Sequence, residues 1–69
     1  MMNRAQLKQS LQPGAIKEIA QKLGVSYPTV NRFLNDKSIK NDKIEIAVLE
    51  YILDMEKRKA ELYKELQSL

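Results

Sequence analysis

Only four residues in the chain break helices on conformational grounds, two glycines and two prolines, and all four fall between positions 13 and 28. Proline removes a backbone donor and glycine tolerates left-handed turns, so Pro13-Gly14, Gly24 and Pro28 punctuate the first half only. From Asp42 to about Leu66 nothing interrupts the helical periodicity. No apolar alternation bounded by hairpin turns occurs anywhere. The expected fold is all-α, a small four-helix domain with a long C-terminal helix over about residues 42 to 68. A helix of roughly 25 residues is about 38 Å long, which outgrows a domain of 69 residues.

Local signals place the other helices. Asn3 can cap the first, with Gln6 three residues on as the reciprocal partner of a capping box, and Leu7 and Leu11 form its apolar edge up to the stop at Pro13-Gly14. The second runs from about Ala15 to Leu23 with Ile16, Ile19, Ala20 and Leu23 on one stripe, and Gly24 is placed for the left-handed turn after it. Ser26 is positioned to cap the third, Pro28 fits its first turn, and Val30, Phe33 and Leu34 point inward. A polar connection through Ser38 and Asn41 follows, and Asp42 with Glu45 has the spacing of another cap.

The length allows one domain, residues 1 to 69, with a marginal core. Cysteine and histidine are absent, which removes disulfides, thiolate or imidazole metal sites and the commonest nucleophile and base. No metal and no cofactor are expected, and among the usual supports of so small a chain oligomerisation remains. The carboxylates lie on solvated helix faces without a glycine-rich phosphate loop, so an enzyme is not expected. Charge is unevenly placed. Residues 1 to 41 carry seven cations and two anions, net +5, whereas residues 42 to 69 carry five cations and seven anions, net −2. A basic first half fits a polyanionic partner. With no apolar run of signal-peptide or membrane-spanning length, a cytoplasmic, nucleoid-associated protein without membrane contact is expected.

The segment IKEIAQKLGVSYPTVNRFLN, residues 16 to 35, has the spacing of a helix-turn-helix. Ala20 is small where two helices would cross, Gly24 opens the turn, and Ile19, Leu23, Val25, Val30 and Phe33 make the shared apolar contact. Over residues 15 to 36 the chain resembles the DNA-binding headpiece of the lactose/galactose repressor family, with its IA…AGVS…TVSRVLN run. The helix ahead of the motif is similar to phage repressor and Cro-type domains. The resemblance implies a prokaryotic or phage regulator of transcription that binds double-stranded DNA through its third helix. No hinge and no sugar-binding domain follow the motif, so no small-molecule effector domain is carried over.

With Val30, Phe33 and Leu34 facing the core, the opposite side of the third helix centres on Pro28, Arg32 and Asn35 at 100° per residue, flanked by Thr29 and Asn31. Arg32 is the candidate for a bidentate guanine contact, with a phosphate contact as its alternative. In the repressor family the positions matching Tyr27, Pro28 and Arg32 read bases. Here Pro28 offers no side-chain donor or acceptor and either packs on a thymine methyl or simply starts the helix, while Tyr27 either touches DNA or packs on the domain. Ser26, Thr29, Asn31 and Asn35 are candidates for positioning phosphate, and Lys17, Lys22, Lys37 and Lys40 for neutralising it.

In the last helix Val48, Ile52, Met55, Lys59, Leu62, Leu66 and Leu69 repeat in steps of four and three, the seam of a short coiled coil. A homodimer reading a palindromic site follows as the expectation, and a monomer whose last helix frays beyond about Arg58 is the alternative. The function expected is a sequence-specific dimeric repressor. A protein-interaction module of antitoxin or anti-regulator type, using the same helices as scaffold, is the competing class.

Overall fold

A computed structural model of the chain describes residues 3–69. It is built from α1 (Arg4–Gln9), α2 (Ala15–Leu23), α3 (Tyr27–Asn35) and α4 (Asp42–Gln67), with no strand among the described residues. The capping box at α1 is formed: the Asn3 side chain accepts from the Gln6 amide at 2.9 Å and the Gln6 side chain accepts from the Asn3 amide at 2.9 Å. The helix ends sooner than Pro13 requires, at Gln9, and the Ser10 hydroxyl and amide both donate to the Gln6 carbonyl at its end. Leu7 is buried, and Leu11 lies outside the helix, half-buried against the core.

α2 starts after Gly14 and stops at Gly24, both in left-handed backbone with φ of 87° and 70°. At the second of these, the Val25 amide reaches the Ala20 carbonyl at 3.0 Å and the Gly24 amide reaches Gln21 at 3.2 Å, the paired bonds of a Schellman motif. Nothing lies within 4 Å of a Cβ built on Gly24, so Gly24→Ala would add backbone strain alone. It is expected to lower stability by about 1–2 kcal/mol, read as a fall in Tm of about 4–8 °C per kcal/mol.

Three residues, Gly24 to Ser26, connect α2 to α3, and the two helices pack on each other as α1 packs on α3 and α4 on α2. Ser26 stands at the N-cap of α3, but its hydroxyl bonds the Thr29 hydroxyl at 2.8 Å and makes no cap to an amide. Val25 is a second departure from expectation: it is 38 % exposed, outside the α2–α3 contact, and contributes its amide to the turn instead. The cap of α4 falls one residue before the expected Asp42, on Asn41, whose side chain accepts from the Ile44 amide at 3.2 Å. Asp42 and Glu45 then occupy the first turn, where acidic groups favour the helix dipole.

The core unites Leu7 of α1, Ile19 and Ala20 of α2, Val30, Phe33 and Leu34 of α3, and Ile44, Ala47 and Val48 of α4. Leu11, Ile16, Leu23, Ile39, Tyr51 and Ile52 close around it. From Glu56 onward every residue of α4 is exposed, which gives the molecule its 46 × 25 × 18 Å extents. This corrects the expected coiled-coil seam. Val48 is fully buried in the protomer's own core, and Ile52 and Met55 are half-buried, so only Lys59, Leu62, Leu66 and Leu69 of that series stand free. No helix among the described residues is long and apolar enough to cross a membrane.

Candidate nucleic-acid interface

α3 is held by its inner face and open on its outer one. Val30, Phe33 and Leu34 are buried, while Pro28, Thr29, Arg32 and Asn35 are exposed and Asn31 is half-buried beside them. Tyr27, in the first turn, is half exposed over a cleft whose other walls include Lys8, Leu11, Pro13 and Ile16. The expected base-facing residues Tyr27, Pro28 and Arg32 are thus all on open surface of one helix.

The small polar groups are already partly engaged. Between them the Ser26 and Thr29 hydroxyls have two protons and use one in their mutual bond, leaving one O–H to donate outward. Asn35 is committed at both ends: its amide donates to the Asn31 carbonyl at 2.9 Å and its oxygen accepts from Lys8 Nζ at 2.6 Å. Lys8 was not among the expected contacts. Its position on α1, four residues after Arg4 and next to the buried Leu7, is the signal that could have placed it beside α3.

The four expected lysines do not form one cluster. All are exposed. Lys37 shares a shallow hollow with Lys8 and Asn35 at the C-terminal end of α3, and Lys17 lies in the first turn of α2 next to Ile16, which faces the Tyr27 cleft. Lys40 lies in the connection before α4. Lys22 is on the other flank of α2, lining the groove toward α4 and reaching Glu50 at 3.9 Å, so it stands apart from the α3 surface.

Arg4 is the residue that sequence reasoning counted only as charge. Its guanidinium lies 3.6 Å from the centroid of the Phe33 ring. Nη1 donates to the Phe33 carbonyl and to the Asp36 carbonyl at 3.1 Å, and Nη2 donates to the Ile39 carbonyl at 2.6 Å. A cation at the C-terminal end of α3 satisfies carbonyls that have no partner within the helix and opposes the negative end of its dipole. Just beyond, the Ser38 hydroxyl and amide donate to the Asp36 carboxylate at 2.6 and 3.0 Å and hold its pKa below the ordinary value, with Arg4 adding to the effect. On the opposite side of the domain, burial and then the Glu18 carboxylate push the Tyr51 hydroxyl up.

With Arg4 turned inward and Lys22 toward α4, the exposed cations of the first half that remain are Lys8, Lys17, Arg32, Lys37 and Lys40. The arrangement is a rigid helix with a guanidinium and hydroxyls on its free face and ammonium groups on neighbouring segments. No family model, no curated protein and no solved structure matches the chain.

Proposed function

We propose that the chain is a sequence-specific transcriptional regulator, a dimeric repressor that sets α3 in the major groove of a palindromic double-stranded DNA site. The observation that carries this is the outer face of α3, which presents Arg32 with Tyr27, Pro28 and Thr29 while Val30, Phe33 and Leu34 anchor the same helix in the core. Arg32 supplies the bidentate fork that fits guanine O6 and N7. Tyr27 and the free hydroxyl of the Ser26–Thr29 pair supply donors at the helix start, and Pro28 supplies an apolar surface. Lys8, Lys17, Lys37 and Lys40 neutralise phosphate and hold the register. Such a regulator works on the nucleoid, in the cytoplasm of a prokaryote or a phage host.

Duplexes selected from a random pool test it directly. Arg32→Ala is expected to weaken binding to the selected site by about 1–3 kcal/mol, roughly 5- to 150-fold, and to relax preference at one base pair. Binding should also weaken as salt rises, since each phosphate contact releases counterions. Equal affinity for unrelated duplexes, or affinity indifferent to salt, would overturn the proposal.

The exposed Ile46, Leu49 and Leu53 on α4 favour a second reading, a module that captures another protein. The same variant separates the two, since Arg32→Ala leaves partner capture through α4 intact.

A further inference from the structure

We infer that two copies of this chain pair through the outward face of α4, and that the two helices run antiparallel. The inference rests on the dimeric part of the proposed function and moves its interface off the seam that periodicity alone selects. Ile46, Leu49, Leu53, Glu56, Ala60 and Tyr63 follow one another in steps of three and four, so they share one stripe of the helix. That stripe lies on the far side of α4 from the buried Ile44, Ala47 and Val48. Its large apolar members are open to solvent, Ile46 at 54 %, Leu49 at 42 %, Leu53 at 55 % and Tyr63 at 57 %. The head, formed by α1, α2, α3 and the first half of α4 around the common core, already holds the stretch of α4 that carries Ile46, Leu49 and Leu53, so covering these three costs little further chain entropy. Leu62, Leu66 and Leu69 lie instead on the continuation of the head-facing side, past the end of the head.

Charge beside the stripe sets the direction. The positions beside the stripe are Glu45, Glu50 and Ile52 along its N-terminal half and Lys57, Lys59 and Lys64 along its C-terminal half. A parallel pair would set Glu45 of one copy against Glu50 of the other and Lys59 against Lys64, like against like. Reversing one helix about a centre between Leu53 and Glu56 puts Ile46 level with Tyr63 of the second copy and Glu50 beside its Lys57, and the two-fold axis repeats both contacts. Glu50 reaches Lys22 of its own copy at 3.9 Å, but its side chain is 59 % exposed and open to the second cation. Opposite charges beside a helical seam select the orientation that joins them. Glu56, near the centre, interrupts the apolar run and, with its copy close by across the two-fold axis, weakens the association.

The chain contains no cysteine, so single-cysteine variants report orientation cleanly. Ile46→Cys mixed with Tyr63→Cys should be joined by a short bis-maleimide, while neither variant should be joined to itself. Self-joining of either one, or of Leu66→Cys, would overturn the antiparallel face. Sedimentation equilibrium over concentrations up to about 1 mM should give a monomer–dimer equilibrium that Leu53→Glu shifts to monomer with the circular dichroism of the fold retained. Glu50→Lys should weaken association and the double swap E50K with K57E should restore it, whereas a parallel pair would be strengthened by Glu50→Lys. A chain that stays monomeric throughout overturns the inference. If that monomer still binds its selected duplex, DNA recognition stands without it, and a dimer that binds no DNA has the reverse meaning.

Discussion

Phe33→Ala is expected to leave the chain without a folded head at room temperature. Phe33 is fully buried, among the largest side chains in the core, and belongs to the same cluster as Leu7, Ile19, Val48 and Leu34. Truncating a buried phenylalanine costs about 3–5 kcal/mol through lost transfer energy and the cavity left behind. In a chain of 69 residues a single core rarely supplies more than about 3–5 kcal/mol, so the substitution takes most or all of it. Loss of the ring also removes the surface on which Arg4 stacks. Phe33→Leu, which keeps most of the volume but not the ring, should cost about 1–3 kcal/mol, less than Phe33→Ala. Urea unfolding followed by far-ultraviolet circular dichroism measures both. A Phe33→Ala variant within about 1 kcal/mol of the parent would mean that the core is not organised around α3.

How far the sequence revealed this architecture depended on how local each signal was. The capping box at Asn3 and Gln6, the left-handed Gly24 and the inward trio Val30, Phe33 and Leu34 are each decided within about one turn of helix, and each is present as expected. The misplacement at Asn41 is a choice between neighbouring polar side chains, Asn41 and Asp42, able to serve the same backbone groups. At Ser26 the competing partner was a hydroxyl three residues away. The larger gaps concern long-range contacts. A repeat in steps of three and four does not say whether its apolar side faces its own domain or another copy, which is why Val48 reads as a seam residue and is a core residue. The exposure of Pro28, Arg32 and Asn35 was legible from the wheel of α3 alone, whereas Tyr27 was open between contact with DNA and packing on the domain. That Lys22 faces α4, and Lys8 faces α3, required the packing of helices distant in sequence.

Arg4→Ala should be the most damaging substitution of any charged residue, and its effect on DNA binding should differ in kind from that of the other cations. The Arg4 guanidinium joins α1 to the three carbonyls of Phe33, Asp36 and Ile39, two of those bonds part-buried, and covers the Phe33 ring. An acceptor left unsatisfied costs about 1–3 kcal/mol, and the cation–ring contact adds about 0.5–2 kcal/mol. A fall in stability of about 2–4 kcal/mol is therefore expected in urea unfolding. Arg4→Lys should recover only part of it, because a point ammonium cannot reach several carbonyls and lie flat on a ring at once. The double substitution with Phe33→Leu should be less than additive, since both changes disturb one contact. In the duplex titration, Lys37→Ala, at an exposed ammonium just past α3, should lower the salt slope by about 1, as the loss of one phosphate contact does. Arg4→Ala, measured where the variant is still folded, should weaken binding with that slope unchanged. The distinction follows from placement: a cation engaged with the end of α3 sets the pose of the helix, and one standing free beside it can meet the phosphates.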